Sequence, residues 1–201
     1  KGAVAIIAEK EVESDRPVIY VNDSTRALAM LVNKFYEYPT SKLSLIGITG
    51  TNGKTTISYL LDAIFQNYGK KTGVIGTIQN KVGSNLMETN NTTPDALVLQ
   101  RLFVEMKTQG VEQAIMEVSS HALDLGRVYG CDFDTVIFTN LTQDHLDYHK
   151  NELQYFHAKS LLFSQLGNSY YETKKYAVIN ADDPYSESLQ KMTSQPIVTY
   201  G

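Results

Sequence analysis

The sequence has little cysteine, no long apolar run and no dense basic run, and each absence excludes a class of protein. Its single cysteine, Cys131, cannot form an intrachain disulfide, which fits a reducing cytosol. No stretch has the length of a transmembrane helix or the layout of a signal peptide. With a net charge of -4 and no Lys/Arg-rich segment, nothing predicts binding to nucleic acid or to an anionic membrane surface. We therefore expect a cytoplasmic protein with no membrane insertion and no nucleic-acid partner.

The composition is that of an ordinary globular protein. The 201 residues are 42% apolar and 20% charged, enough for one large or two modest domains. Repeats, low-complexity tracts and Gly/Ser linkers are lacking. The chain opens at Lys1, directly before a strand-like segment, and stops just after another at 197–200. We expect both ends to continue in a longer protein.

Short β-rich runs alternate with segments of helical periodicity. The predicted strands are 3–7, 18–21, 43–48, 73–78, 113–118, 134–139, 176–179 and 197–200. Apolar residues at helical spacing predict helices around 28–35, 57–64, 99–106 and 153–166, the first capped by Asp23 or Ser24. This alternation predicts an α/β fold with a mainly parallel sheet and flanking helices. The opening stretch lacks a complete βαβ unit, so a domain boundary is predicted near residue 22.

A phosphate-binding loop is predicted between the strand that ends at Thr49 and the helix that begins near Lys54. It comprises Gly50, Thr51, Asn52, Gly53, Lys54, Thr55 and Thr56. Glycines let backbone N–H groups surround phosphate oxygens, Lys54 can reach the terminal phosphates, and the Thr55 hydroxyl can hold Mg²⁺. The spacing departs from the general G-x-x-x-x-G-K-[ST] pattern, because Gly47 lies one residue too early and position 48 is Ile. ATP and Mg²⁺ are therefore the predicted ligands.

All four histidines fall between residues 121 and 157, close to acidic side chains. Glu117 and Asn140 each close a predicted strand, and ligands of open α/β sheets bind at the carboxyl ends of strands. Glu117 is a suitable oxygen ligand for Mg²⁺, whereas His145 would be a less usual one. We assign His145 to the site and expect His149 and His157 to be surface or helix-flank residues. The lone cysteine denies zinc its commonest structural ligand sets and so disfavours it.

Lys159 lies in the predicted helix 153–166, among apolar residues. Considered without any family context, it is expected to extend its ammonium group to solvent, as such lysines ordinarily do.

Four motifs in this order resemble those of the Mur ligases. They are Gly50-Thr51-Asn52-Gly53-Lys54-Thr55-Thr56, Asn91-Thr92-Thr93-Pro94, Met116-Glu117-Val118-Ser119-Ser120-His121 and Asn140-Leu141-Thr142-Gln143-Asp144-His145-Leu146-Asp147-Tyr148-His149. The resemblance covers essentially the whole chain and is strongest to the tripeptide synthetases of the family. It also accounts for the loop spacing, because these enzymes carry a G-T-N-G-K-T loop with an earlier glycine.

The resemblance implies a domain arrangement. Residues 1–22 would be the C-terminal remnant of an N-terminal UDP-binding domain. Residues 23–201 would be the N-terminal portion of a central P-loop ATPase domain, truncated at both ends. The 201 residues would then be inactive on their own.

The resemblance also implies site residues. Lys54 and Thr55 would serve ATP and Mg²⁺, and Glu117 and His145 would belong to the metal sites. Lys159 would be a carbamylated lysine that ligates Mg²⁺, which reverses the expectation of an exposed ammonium group. The substrate would be contacted by a further set of residues: Asn91, Thr92, Thr93, Ser119 and Arg127.

The implied activity is ATP-dependent amide-bond formation in peptidoglycan precursor synthesis. A monomeric enzyme would add meso-diaminopimelate or L-lysine to UDP-N-acetylmuramoyl-L-alanyl-D-glutamate through an acyl phosphate. A folylpolyglutamate synthetase-like ligase is the enzyme alternative, since it shares the fold and the chemistry. A non-catalytic nucleotide-binding module is the alternative from a different class.

Overall fold

The computed structural model describes residues 2–142, 144, 146–168 and 173–201, and for residues 146 and 147 the backbone alone. Its strands are β1 (Ile6–Ala8), β2 (Val18–Tyr20), β3 (Ser44–Thr49), β4 (Thr72–Ile75), β5 (Asn80–Val82), β6 (Asn85–Met87), β7 (Gln113–Glu117), β8 (Thr135–Phe138), β9 (Tyr176–Asn180) and β10 (Ile197–Tyr200). Its helices are α1 (Ser24–Phe35), α2 (Lys54–Asn67), α3 (Ala96–Thr108), α4 (Ser120–Asp124), α5 (Leu146–His149), α6 (Glu152–Ser164) and α7 (Ser186–Gln190), with a 3-10 helix at Pro39–Lys42.

Eight of the described strands form one sheet in the order β10-β9-β8-β3-β7-β4-β5-β6. The first six in that order pair in parallel, and the β5–β6 hairpin adds an antiparallel edge. The strand β3 lies between β7 and β8, so its carboxyl end opens at the middle of the sheet edge. An α/β fold with a mainly parallel sheet is therefore confirmed.

Helices cover the sheet on both faces because β3 and β7 are apolar on both sides. One face packs Ile46, Ile48 and Ile115 against Ile57 and Leu61 of α2. The larger core lies on the other face, where the buried side chains of α3 and α6 pack on the sheet. This layering puts the start of α2 and the ends of β3, β7 and β8 on one edge of the sheet. None of the helices in the described ranges is long and apolar enough to cross a membrane.

Most predicted elements are present, and Asp23 caps α1 by accepting from the Arg26 N–H. The predicted strand 73–78 is wrong at its end, because β4 stops at Ile75 and the chain turns toward Glu117. A Cβ on Gly76 would overlap Glu117 Oε1, so only glycine permits this approach. The β5–β6 hairpin and the short helices α4, α5 and α7 were not predicted from the sequence, because elements of three to five residues have little periodicity.

The first two strands form a separate sheet. β1 and β2 pair in parallel through Ile6↔Val18, Ile7↔Ile19 and Ala8↔Tyr20. Val21 N–H donates to the Ala8 carbonyl, and the chain then enters α1. The small sheet ends at Tyr20, and the domain boundary near residue 22 stays a prediction.

A buried ion-pair network joins three strands at the opposite edge of the sheet from the phosphate loop. Lys175 is 1% exposed, and its Nζ lies 2.8 Å from Asp132 Oδ1 and 2.9 Å from Asp134 Oδ1. The other Asp134 oxygen accepts from the Leu45 N–H of β3 at 2.9 Å. The network therefore ties the starts of β3, β8 and β9 together.

Replacing Lys175 with methionine should destabilise the protein strongly, because two partly buried carboxylates would lose their cation. We expect a loss of about 3 kcal/mol in the free energy of unfolding of this domain. The neighbouring exposed Lys174→Met is the matched control and should change stability by no more than about 0.5 kcal/mol. Denaturant unfolding of the full-length variants measures both. Equal, small losses in the two variants would contradict the structural role of Lys175.

Candidate active site

The predicted phosphate loop connects β3 to α2. Gly53 caps α2 with a φ of 87°, and Gly50 has a φ of 146°. The loop therefore uses glycine where the backbone turns sharply, and the partial positive charge of the α2 N-terminus points toward the sheet edge. Lys54 and Thr55 occupy the first turn of α2, and Thr56 follows with an exposed side chain.

The end of β8 holds the loop in place. Thr51 N–H donates to the Asn140 carbonyl at 2.8 Å, and Asn52 N–H donates to Asn140 Oδ1 at 3.0 Å. In return, the Asn52 carbonyl accepts from the Thr139 hydroxyl at 2.7 Å and from Asn140 Nδ2 at 3.2 Å. The conformation of the loop thus depends on hydrogen bonds to the residues that follow β8, the neighbouring strand in the sheet, and not on the loop sequence alone.

Gly50→Ala should weaken nucleotide binding. A Cβ at this position would overlap the Thr139 hydroxyl and lie 2.9 Å from the Asn140 carbonyl oxygen, so the loop must separate from β8. We expect at least about a tenfold weaker Kd for Mg-ATP, or about 1.4 kcal/mol, by calorimetry on the full-length protein. Gly69→Ala is the matched control, since Gly69 has a φ of 74° but no atom within 4 Å of its Cβ position. Equal affinity in the two variants would contradict this packing account.

Two lysines converge on one loop carbonyl. Lys54 Nζ donates to the Gly50 carbonyl at 2.8 Å and to the Thr51 carbonyl at 2.9 Å. Lys159 Nζ, from α6, donates to the same Gly50 carbonyl at 2.8 Å. Burial lowers the pKa of Lys54, and the nearby Glu117 and Asp144 carboxylates oppose that shift.

Lys159 is 1% exposed, so the expectation that it extends to solvent is wrong. The side chain turns inward because α6 packs its flanking residues into the core, and the Nζ lies 4.4 Å from the centroid of the Tyr155 ring. Burial lowers the pKa of Lys159 well below its usual value, and the Lys54 charge lowers it further. The neutral amine is therefore favoured more than in an ordinary lysine.

Glu117 lies at the carboxyl end of β7 and is fully buried. Its Oε2 accepts from the Thr55 hydroxyl at 2.9 Å and from the Thr77 hydroxyl at 3.0 Å. Its Oε1 accepts from the Thr77 N–H at 3.2 Å. The structure thus brings Glu117 to the phosphate loop, as the strand-end argument predicts.

The oxygen atoms of Thr55 and Glu117 suit a hard cation. Mg²⁺ prefers a few protein oxygens together with phosphate oxygens and water, which matches one hydroxyl next to one carboxylate. Among the residues that the structure describes, no three His, Cys, Asp or Glu side chains form a metal-binding group. His145 lies outside the described residues.

The predicted substrate residues gather beside Glu117. The Thr93 hydroxyl donates to the Glu117 carbonyl at 2.8 Å and accepts from the Ser119 N–H at 3.0 Å. Arg127 donates to the Thr93 carbonyl at 3.1 Å, and the Thr92 and Thr77 hydroxyl oxygens are 3.0 Å apart. Asn91 is exposed in the turn that precedes this segment. Four of the five predicted residues therefore lie in one hydrogen-bonded group, and Asn91 adjoins it.

The prediction that His149 lies at the surface is wrong, although the residue does flank a helix. His149 ends α5, but it is 3% exposed, and its Nε2 lies 2.9 Å from the Ser120 hydroxyl. Its ring also packs near Tyr155 at a centroid distance of 5.3 Å. His157 is exposed on α6, as expected. Helical periodicity missed His149 because α5 has only four residues.

Two residues of the site were not predicted from the sequence. Thr77 joins Glu117 to Thr92, and the buried Tyr155 places its hydroxyl 3.2 Å from the Thr51 hydroxyl. Thr77 could have been found, because Gly76-Thr77 follows a strand in the same way as Gly50-Thr51. Tyr155 gave no signal beyond an aromatic position on a buried helix.

Comparison with known proteins agrees with the geometry. The model of the Mur ligase middle domain matches residues 48–201. A Bacillus cereus protein is 57% identical over 202 residues, and a Listeria monocytogenes protein is 58% identical over 201. Both are called UDP-N-acetylmuramoyl-L-alanyl-D-glutamate--2,6-diaminopimelate ligase. The alignment covers all of this chain and 41% of each relative, so the chain spans less than half of their length.

Solved structures agree as well. A structure of a protein called by the same ligase name matches 99% of this chain and 40% of its own, with a TM-score of 0.83 and 34% identity. MurF from Acinetobacter baumannii matches 97% of this chain and 39% of its own, with a TM-score of 0.66 and 19% identity. E. coli FolC in complex with ADP matches 89% and 47%, with a TM-score of 0.63 and 16% identity. The last two show a shared fold alone. The chain belongs to the Mur ligase middle-domain family.

Proposed function

We propose that the full-length protein is an ATP-dependent ligase that joins meso-diaminopimelate to the γ-carboxylate of D-glutamate in UDP-N-acetylmuramoyl-L-alanyl-D-glutamate. The observation that carries the proposal is the contact between the two halves of the site. Glu117 hydrogen-bonds to Thr55 of the phosphate loop and, through Thr77, reaches Thr92 of the substrate segment. A phosphoryl donor and a carboxylate acceptor could therefore meet beside Glu117. The names of the relatives favour diaminopimelate over L-lysine as the added amino acid.

Activation of the carboxylate is the first step of this chemistry. A carboxylate oxygen attacks the γ-phosphorus of ATP, an O–P bond forms, and the bond to the ADP oxygen breaks. The product is an acyl phosphate, whose phosphate is a far better leaving group than hydroxide. Lys54 and the α2 N-terminus would stabilise negative charge on the transferring phosphoryl group. Mg²⁺, held by Thr55 and Glu117, would supply further charge neutralisation, with His145 as a predicted additional ligand.

Amide formation is the second step. The amine of the diamino acid attacks the acyl carbon and loses a proton, and the tetrahedral intermediate collapses to amide and inorganic phosphate. Ser119, Thr92, Thr93 and Arg127 would hold the UDP-linked dipeptide with its carboxylate at the loop, with Asn91 adjoining them. The contribution of these residues is mainly orientation, which can lower a barrier by several kcal/mol.

Lys159 is proposed to carry a carbamate formed with CO₂. The amine nitrogen attacks the carbon of CO₂, a C–N bond forms, one C–O π pair moves to oxygen, and a proton leaves the nitrogen. The reaction needs a neutral amine, and burial lowers the pKa of Lys159 in that direction. The carbamate would place one negative charge, shared by two oxygens, beside the phosphate loop as a ligand for Mg²⁺.

We infer a domain arrangement from the small sheet and the family match. Residues 1–22 would end an N-terminal UDP-binding domain, and residues 23–201 would begin the central ATPase domain. The β1–β2 sheet is separate from the main sheet, and the family model starts at residue 48. A monomeric cytoplasmic enzyme is part of the same proposal.

A substrate panel tests the proposal. The full-length protein with ATP should release phosphate and form the expected tripeptide product, by mass spectrometry, with the UDP-linked dipeptide and meso-diaminopimelate. L-Lysine in place of diaminopimelate tests the amino-acid choice. Ligation of glutamate to a folate would favour the folylpolyglutamate alternative, whose fold the chain shares. Mg-ATP binding without turnover of any substrate pair would favour a non-catalytic module.

A further inference from the structure

Three oxygen groups form a continuous chain from the metal side of the site to the substrate side. Glu117 Oε2 lies 3.0 Å from the Thr77 hydroxyl, which in turn lies 3.0 Å from the Thr92 hydroxyl. Thr77 also donates its backbone N–H to Glu117 Oε1 at 3.2 Å. The carboxylate is confined on this side, because Gly76 leaves no room for even a Cβ. Thr77 therefore touches one residue on each side of the proposed site, Glu117 at the phosphate loop and Thr92 in the substrate segment.

The direction of these hydrogen bonds is determined by proton count. An ionised carboxylate only accepts, and a hydroxyl has one proton to donate. Thr77 donates its hydroxyl proton to Glu117, so it can only accept from Thr92. Thr92 must then donate to Thr77, and only its lone pairs remain for another partner.

We propose that Thr77 is a positioning residue that holds the Glu117 carboxylate and fixes the Thr92 hydroxyl as a hydrogen-bond acceptor toward the substrate. The inference rests on the proposed function, because it assumes that the UDP-linked dipeptide lies beside Thr92. An acceptor at this point selects a donor, and the dipeptide offers amide N–H groups. A substrate carboxylate at the same point would meet lone pairs and is disfavoured. Thr92 would therefore accept from an amide N–H of the peptide backbone rather than bind the carboxylate of the glutamate side chain.

Neighbouring contacts support this assignment. The Thr93 hydroxyl donates to the Glu117 carbonyl at 2.8 Å and accepts from the Ser119 N–H at 3.0 Å, so the segment is attached to the end of β7 independently of Thr77. Loss of the Thr77 hydroxyl should consequently release the Thr92 side chain and loosen the Glu117 carboxylate, which keeps its hydrogen bonds from the Thr55 hydroxyl and the Thr77 N–H, without detaching the segment. A local effect on binding and turnover is expected rather than unfolding.

The first test compares Thr77→Val, Thr77→Ser, Thr92→Val and the double Val variant in the full-length protein. Calorimetry gives the Kd of UDP-N-acetylmuramoyl-L-alanyl-D-glutamate, and steady-state kinetics give kcat and KM. Thr77→Val should weaken dipeptide binding and lower kcat by about tenfold each, whereas Thr77→Ser stays within about twofold of wild type. The double variant should bind the dipeptide no more than about twofold more weakly than Thr77→Val, because Thr77→Val alone already removes the hydrogen bond that orients the Thr92 hydroxyl.

The second test addresses the direction of the Thr92 hydrogen bond. In two analogues, one of the two amide N–H groups of the dipeptide portion is replaced by an ester oxygen. One ester should bind wild type about tenfold more weakly than the amide, and this difference should vanish in Thr92→Val. No loss with either ester would overturn the acceptor role.

The outcomes separate the two proposals. Failure of wild type to bind the UDP-linked dipeptide would contradict the proposed function. If wild type binds the dipeptide normally and Thr77→Val binds it equally well, only the role of Thr77 is overturned. The same holds if the effects of Thr77→Val and Thr92→Val on the Kd multiply in the double variant, because the two residues would then act independently. If Thr77→Val does not fold by circular dichroism, Thr77→Ala replaces it with the same expectations.

Discussion

Replacing Lys54 with alanine should reduce kcat of the full-length protein by about 10³-fold, or about 4 kcal/mol of barrier. The reason is that, in the proposed mechanism, Lys54 would stabilise negative charge on the transferring phosphoryl group. Its Nζ donates to the Gly50 and Thr51 carbonyls, so the ammonium group lies against the predicted phosphate loop. Phosphate release with both substrates present measures the effect.

Controls for Lys54 separate charge from folding. Lys191→Ala removes an exposed lysine at the end of α7 and should leave kcat unchanged. Lys54→Arg keeps the charge but not the geometry, and should recover part of the lost rate. A Lys54→Ala enzyme within about threefold of wild type, under about 1 kcal/mol, would show that Lys54 does not stabilise the transition state.

Replacing Lys159 with alanine should lower kcat by about 10²-fold or more if its carbamate supplies an anion to the site. Small carboxylates such as acetate should restore part of the activity, because they can fill the space and provide the missing negative charge. Activity as a function of acetate concentration is the measurement. Lys54→Ala is the matched comparison, since it lacks a positive charge and acetate should not rescue it.

A second readout concerns the modification itself. A ¹³C resonance of a lysine carbamate should appear in the full-length protein supplied with ¹³CO₂ and disappear in Lys159→Ala. Absence of that resonance from wild type, together with no rescue by acetate, would contradict the carbamate. The buried amine would then act only through its hydrogen bond to the Gly50 carbonyl.

Much of the fold follows from the sequence because the central strands are long apolar runs. β3 and β7 are buried along nearly their whole length, and their runs are unlike the helical spacing around them. The β5–β6 hairpin could not be predicted in this way, because each of its strands has three residues and mixed polarity. The local sequence pattern therefore predicts strands that are buried along their length. It does not predict short elements whose conformation depends on contacts with neighbouring elements.

The residues of the candidate site also differ in whether the sequence pattern alone could place them. Glu117 could be placed from sequence because it ends an apolar strand, and parallel strands end at one edge. Lys159 could not, because an amphipathic residue in an apolar helix is usually exposed at its tip, and only the packing of α6 turns this one inward. The burial of His149 likewise depends on contacts with Ser120 and Tyr155 from other helices.

A crystal structure of the full-length protein with Mg²⁺ and a non-hydrolysable ATP analogue would test the central claim most directly. That claim is that the terminal phosphate of the nucleotide lies between Lys54 and Glu117, facing the segment that contains Thr92. We predict the γ-phosphate within hydrogen-bonding distance of Lys54 Nζ, with Mg²⁺ on the oxygens of Thr55 and Glu117. A nucleotide bound elsewhere, or with its γ-phosphate turned away from Glu117, would contradict the account.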